Sequence, residues 1–452
     1  MEKDGGAGEK APPLGAADSA GWNRRVLRLA GPIILANMSV PLLGIVDTGV
    51  MGHLDQSYYI GAVAIGALLF SYIYWGFGFL RMSTTALTAQ ASGAGDDSEV
   101  RAGLARALIL AVAIAAFVII LQGPIGWLGL NLIDASPDVE RLADTYFSIR
   151  IWGAPAALTN YVVLGWFLGR QNAKAALALQ VFMNGLNIGL DLLFVVDFGW
   201  GVEGVAAATI IAEYSAAALG LLMIARALRR MGGTWSRASI ADPARLRRLL
   251  GVNRDIFIRT LALVSAFAYF TSRGAVQGDT LLAANAVLLN FFMLLSFGLD
   301  GFAHAAEALV GSAIGARDAH ALKRVVRTTT LWAAAVAGLF ALAYGALGWL
   351  LIQALTDLPE VRDAARSFLP WIVALPLVSI WSFQLDGIFL GATHTRALRN
   401  AMLVSLSLFL VFVWLFMPLW GNHGLWLALL LFMVVRAVTL VVQYPAIPRS
   451  LR

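Results

Sequence analysis

Residues 280–313 read TLLAANAVLLNFFMLLSFGLDGFAHAAEALVGSA, a stretch whose only charged or titrating groups are Asp300, His304 and Glu307. A bilayer core of about 30 Å is crossed by roughly 20 apolar residues, so this segment predicts a membrane span with length to spare for tilting or kinking. Comparable stretches recur along the 452 residues, and twelve spans are predicted, at about 29–52, 60–92, 103–124, 140–168, 174–196, 203–225, 252–275, 280–313, 328–351, 365–391, 400–418 and 423–445. Composition agrees: the chain is 59% hydrophobic and 13% charged with a mean hydropathy of +0.76, where soluble domains are about 25% charged. Pro32, Pro41, Pro155 and Pro376 fall inside spans and mark candidate hinges, since neighbouring helices can satisfy the backbone groups a proline frees. With no cysteine, disulfides, Cys-ligated zinc, iron–sulfur clusters and thiol catalysis are excluded.

The net charge of +6 reads as a topology signal and not as a nucleic-acid surface. With both termini cytoplasmic, twenty-five of the 33 Lys and Arg fall in inner segments, five fall outside (Arg141, Arg150, Arg273, Arg362, Arg366) and three lie within spans (Arg81, Arg259, Arg436). Residues 1–22 are polar and Gly/Ala-rich, which predicts a disordered cytoplasmic tail and not a signal peptide.

The chain repeats itself at an offset near 220: Gly126-Trp127-Leu128 returns as Gly348-Trp349-Leu350, Phe167-Leu168-Gly169 as Phe389-Leu390-Gly391, and Trp200-Gly201 as Trp420-Gly421. The predicted fold is an all-α polytopic membrane protein of twelve transmembrane helices in two six-helix lobes related by a parallel repeat. The N-lobe is 23–225, a basic cytoplasmic linker 226–252, and the C-lobe 253–452. Each half has an even number of helices, so both begin on the same side, as in carriers that rock about a central cavity.

Six carboxylates lie well inside predicted spans: Asp47, Asp191, Glu213, Asp300, Glu307 and Asp386. Such groups cost several kcal/mol unless paired, protonated or cation-bound. On the fifth span Gln180, Asn184, Asn187 and Asp191 form one polar stripe, and Asp47 and Asp191 both sit toward the outer ends of their spans. With Thr209 they make an oxygen-rich set suited to Na⁺ or to a proton shared by two acids, the alternative being helix–helix adhesion by hydrogen bonds. On the eighth span Asp300, His304 and Glu307 share one face, and Ser379, Ser382 and Asp386 repeat that spacing on the tenth. The carboxylate–imidazole–carboxylate ladder reads either as a proton relay or as a static lock between helices near the cytoplasmic side. Arg81 is expected to pair with a buried acid. At the offset of 220 Asp47 falls opposite Phe267 and Asp300 opposite Leu80, so neither ionisable set is duplicated.

No nucleotide-binding phosphate loop, G-x-S-x-G or H-E-x-x-H motif occurs. An ion-driven carrier without a cofactor is the expectation. A membrane-embedded enzyme or sensor acting at Asp300, His304 or Glu307 is the alternative from another class.

The segments GPIILANMSVPLLGIVDTGVMGHL (31–54), YWGFGFLRMSTTALTAQASGAG (74–95), NGLNIGLDLLF (184–194), LDGFAHAAEALVGSAIG (299–315) and LDGIFLGATHTRALRN (385–400) resemble the DinF branch of the multidrug and toxic compound extrusion (MATE) transporters. The resemblance implies an inner-membrane antiporter, a monomer in the lipid bilayer, that expels organic, often cationic and amphipathic small molecules in exchange for H⁺, favoured, or Na⁺. It places ion coupling at Asp47, Asn187, Asp191 and Thr209, the same four being the implied Na⁺ ligands, with Asn184 beside them. It also implies a hinge at Pro32 and Asn160 or Tyr161 completing the network. The acid that other branches carry on the seventh helix has no evident equivalent. A flippase for a lipid-linked precursor is the alternative among transporters.

Overall fold

The computed structural model describes residues 19–51, 58–131, 136–449 and 451; of 19, 20, 40–51, 58, 60 and 131 only the backbone is described. Among the described residues there is no strand. The first lobe comprises α1 (Ser19–Met51), α2 (Tyr58–Gly76), α3 (Phe79–Gly93), α4 (Asp97–Ile120), α5 (Gln122–Asn131), α6 (Pro137–Arg150), α7 (Ala154–Gly169), α8 (Ala173–Asp191) and α9 (Val202–Arg229). A short α10 (Arg237–Ile240) lies in the connection to the second lobe, made of α11 (Pro243–Ala275), α12 (Asp279–Gly315), α13 (Ala319–Leu355), α14 (Pro359–Gly391) and α15 (Thr395–Gln443), with a final turn α16 (Ala446–Arg449).

Ten helical segments among the described residues are long and apolar enough to cross a membrane. The last, Thr395–Arg449, turns at Gly421 and supplies two crossings, its halves meeting where the Phe409 and Phe432 rings pack 5.5 Å apart. Gly421 has φ +55° and ψ −131°, a conformation essentially open to glycine alone. With α1, whose 33 helical residues are long enough for one more, the described helices accommodate twelve crossings. Large apolar side chains face outward, Ile120 at 77% and Trp414 at 76% exposure, as lipid requires, while the helix contacts inside are rich in Ala and Gly.

The repeat is written into the backbone with an offset of 222, slightly longer than expected. Residues with positive φ recur at Gly95 and Arg317, Gln171 and Thr393, and Gly199 and Gly421, the first two pairs being left-handed turns that stop a helix. Asp96 and Asp318 each then cap the helix that follows, on Glu99 N and Ala321 N at 2.8 Å. Close helix approaches repeat too. A Cβ on Gly165 or Gly169 would overlap the carbonyls of Arg81 and Thr85, and one on Gly387 or Gly391 those of Ala303 and Glu307. Gly93 seats on Ser312 and Gly315 on Gln90, so α3 and α12 cross as symmetry mates between the lobes. At this offset Asp47 matches Tyr269 and Asp300 matches Gly78; the ionisable sets remain unduplicated.

Two boundaries differ from expectation. Residues 19–22 are helical and Trp22 is buried, with Arg25 donating to Gln171 Oε1 at 2.8 Å, so α1 begins inside the segment read as a tail. Helix α9 runs to Arg229 and α11 starts at Pro243, where Asp242 caps it on Ala244 N at 2.8 Å, which shortens the irregular connection. This end of the bundle is called the linker end below.

Candidate ion-coupling site

The polar stripe of α8 is divided between two neighbours. Gln180 Nε2 donates to Asn184 Oδ1 at 3.0 Å, and Asn184 Nδ2 to Ser39 Oγ of α1 at 2.9 Å. One turn further on, Asn187 Nδ2 donates to Thr209 Oγ1 of α9 at 3.3 Å, and that hydroxyl donates to Val205 O at 2.9 Å. Asn187 is 2% exposed, and its Oδ1 is a buried acceptor without a hydrogen-bond partner among the described residues. Asp191, four residues on and therefore on the same face, is fully buried where α8 passes into a π-helical turn, Leu192–Asp197. Irregular turns of this kind occur often at functional sites. The backbone of Asp47 belongs to α1, but its side chain lies outside the described residues. Helix α1 is continuous through Pro32, which leaves the carbonyl of Arg28 without its helical partner and makes bending there inexpensive.

Asn160 does not join this group. Its Nδ2 donates to Glu213 O at 3.0 Å and approaches Met183 Sδ at 3.8 Å. It borders an ion pair that the sequence reading missed: Arg150 clasps Glu213 with both terminal nitrogens, Nη1 to Oε2 at 2.9 Å and Nη2 to Oε1. The guanidinium carbon stands 5.3 Å from the Phe70 ring centroid and 5.5 Å from that of Tyr74, a cation–π setting, while Tyr161 on α7 packs half-buried against the apolar core. The charge count sets Arg150 outside, although it falls within the predicted span of 140–168. The span begins at Pro137 and is interrupted by a 3₁₀ turn at Ile151–Gly153, which puts Arg150 deep inside it, and Gly153 leaves the room that the guanidinium occupies. No signal in the sequence joins residues 63 positions apart.

At the lobe junction, Arg81 Nη2 of α3 meets His304 Nε2 of α12 at 3.1 Å, and His304 Nδ1 faces Glu307 Oε2 at 3.5 Å. This corrects the expectation for Arg81: its partner is an imidazole and not an acid. Asp300 is half-buried on the same helix face and has no bond to His304 among the described residues. The Ser379, Ser382 and Asp386 face of α14 is divided among different partners. Ser379 Oγ and Ser382 Oγ donate to Leu375 O and Ser379 O within their own helix, while Asp386 is held by Arg259 of α11 and by Arg436 Nη2 of α15, the latter at 2.7 Å. The three arginines placed inside spans thus serve the lobe junction and the C-lobe core.

Polar contacts between the lobes gather toward the linker end. Gln90 Nε2 donates to Gly391 O at 2.8 Å and to Thr393 Oγ1 at 3.3 Å, and Arg248 Nη2 donates to Gln90 Oε1 at 2.7 Å. Together with the Gly93 and Gly315 seats they pack the lobes shut on that side.

The chain matches the MatE family model twice, over residues 32–193 and 256–415, one match per lobe. It is 42% identical over 427 residues, 94% of this chain and 92% of the relative, to DNA damage-inducible protein F of Escherichia coli. To a probable multidrug resistance protein NorM of Caulobacter vibrioides it is 27% identical over 404 residues, covering 84% and 83%. In fold it is similar to an outward-facing multidrug resistance MATE family transporter of the MOP superfamily, with a TM-score of 0.85 at 19% identity over 98% and 99% of the chains. The chain therefore belongs to the MatE family, in the branch of the E. coli protein, and is a multi-pass membrane transporter and not an enzyme.

Proposed function

We propose that the protein is a secondary antiporter that exports organic, often cationic and amphipathic, compounds in exchange for H⁺ or Na⁺. The observation that carries this reading is the buried Asn187 Oδ1, without a hydrogen-bond partner among the described residues, one turn from the fully buried Asp191 on α8, packed against α1. A buried acceptor without a donor is costly, and a bound cation or a proton on the neighbouring carboxylate removes the cost. Asp47, Asp191, Asn187 and Thr209 form the ion-coupling set, with Asn184 fixing α8 to α1 through Ser39. The chemistry of the set suits both ions, and H⁺ is favoured over Na⁺ on the resemblance to the DinF branch alone. Loading the site removes negative charge, lets α1 bend at Pro32 and closes the N-lobe cavity, so that the cargo leaves outward. A ligand moves such an equilibrium only through its different affinity for the two states.

The arginine count supports reading the linker end as cytoplasmic, with both termini there, in a plasma (inner) membrane, and the packed linker end supports an outward-open arrangement; the protein is taken to act as a monomer. The multidrug names of the relatives are in keeping with a permissive apolar cleft. Counterflow in proteoliposomes with pH and Na⁺ gradients imposed separately tests the reading. Wild-type protein is expected to accumulate a fluorescent organic cation with one of the two gradients, and Asp47→Asn and Asp191→Asn to lose this while remaining folded. Exchange at the wild-type rate in both variants would falsify the assignment.

A further inference from the structure

A cavity of about 230 Å³ opens at the linker end between α3 and α4 of the N-lobe and the start of α11, lined by Thr84, Thr88, Glu99, Arg106, Arg245 and Arg248 among others. Its charged lining is three guanidinium groups against one carboxylate. Glu99 is spent on two of the arginines, one oxygen taking Arg106 Nη2 and the other Arg245 Nη1. Asp242 adds a longer contact to Arg245 at 3.5 Å, which still leaves the surroundings positive. Arg248 is the free member. Its Nη2 goes to the neutral Gln90 Oε1 at 2.7 Å and Thr393 Oγ1 at 3.2 Å, and its Nε and Nη1 have no hydrogen-bond partner among the described residues. The second pointer is independent of charge. Thr84 is 3% exposed, lines the same cavity, and its Oγ1 is buried without a partner among the described residues.

We propose that this cavity is a binding site for a phosphate group, recognised by the charge and the remaining N–H donors of Arg248 and by the Thr84 hydroxyl, whose occupancy ties α3 and α4 to α11 and so favours the state packed at the linker end. A guanidinium makes strong charge-assisted N–H bonds to phosphate oxygens, here from the Nε and Nη1 donors that Gln90 and Thr393 leave open, and basic pockets between transmembrane helices are the general setting for anionic lipid headgroups. The same chemistry fits free phosphate or a soluble phosphate ester. The inference concerns a site apart from the coupling set and stands whatever the transported compound is.

The test uses the full-length protein, purified and stripped of lipid, with thermal unfolding followed at constant ionic strength. Probes are mixed micelles of phosphatidylglycerol, mixed micelles of phosphatidylcholine, and inorganic phosphate. Stabilisation by phosphatidylglycerol beyond phosphatidylcholine identifies a lipid headgroup as the source; stabilisation by inorganic phosphate alone identifies a soluble one. In either case Arg248→Gln is expected to weaken the effect about tenfold, the loss of a charge-assisted bond, and Arg248→Lys to restore part of it. Thr84→Val leaves the Gln90 seal intact and is expected to weaken binding severalfold, so the test holds even if Arg248→Gln fails to fold. Equal response to all three probes, or binding in Thr84→Val and Arg248→Gln as strong as in the wild type, overturns the proposal.

Discussion

Arg81 Nη2 on α3 of one lobe lies 3.1 Å from His304 Nε2 on α12 of the other, a direct polar bond between the lobes inside the membrane region. A guanidinium only donates, so Nε2 accepts and the ring hydrogen stands on Nδ1, facing Glu307 Oε2 at 3.5 Å. His304→Leu removes the acceptor and is expected to destabilise the protein by about 1–3 kcal/mol. His304→Gln, which keeps an acceptor oxygen, should lose less. Chemical unfolding in detergent checks the order of the two variants, and equal losses would reduce His304 to a packing residue.

The Arg150–Glu213 pair is nearly excluded from solvent, with side chains 7% and 10% exposed. Removing one partner strands the other charge, so Arg150→Met is expected to cost about 3–5 kcal/mol, whereas Arg150→Met with Glu213→Leu recovers most of it. Thermal melts of the single and double variants decide the matter; a double variant worse than the single would show that the pair itself is what stabilises the fold.

The seat of Gly315 on the Gln90 carbonyl leaves no room for a side chain. Gly315→Val should keep the helical circular dichroism but prevent the lobes from closing at the linker end, and substrate exchange should fall by at least tenfold. Exchange at the normal rate would mean that this crossing is not part of the cycle.

Because the chain has no cysteine, a pair introduced by Gln90→Cys and Thr393→Cys is free of background. These side chains touch across the lobes at 3.3 Å, and oxidation should arrest transport in a way that a reductant reverses. Failure to cross-link under oxidising conditions would contradict the packed linker end.

Gly421 makes the turn between the last two crossings with φ +55°. Gly421→Ala is expected to cost about 1–3 kcal/mol of backbone strain, measurable as a lowered unfolding midpoint, while Gly338→Ala, in mid-helix with open space around it, should be neutral or slightly stabilising.

The helices were legible because lipid imposes a one-dimensional rule: each crossing must be long and apolar, so the spans, their number and the repeat could be read from order and composition. The Gln180–Asp191 stripe was legible for the same reason, since helical spacing alone puts those residues on one face. What each residue of the stripe meets was not. Asn184 finds Ser39 and Asn187 finds Thr209 only because α8 lies between α1 and α9.

The ionic pairs show where reading along the chain ends. Periodicity suggests that Asp300, His304 and Glu307 speak to one another and shows only that Ser379, Ser382 and Asp386 share a face. The folded chain gives His304 to Arg81, and Asp386 to Arg259 and Arg436. Residues 223 and 127 positions apart become partners through helix packing, which is set by glycine-to-carbonyl approaches that no local pattern announces. By itself the sequence determined that the chain crosses a membrane twelve times in two similar halves and which few charges enter it, because hydrophobic length and helical period act locally. Tertiary structure alone decided which charges neutralise each other, since a buried charge is stabilised by whatever the neighbouring helix brings within 3 Å or so, and that neighbour is chosen by packing.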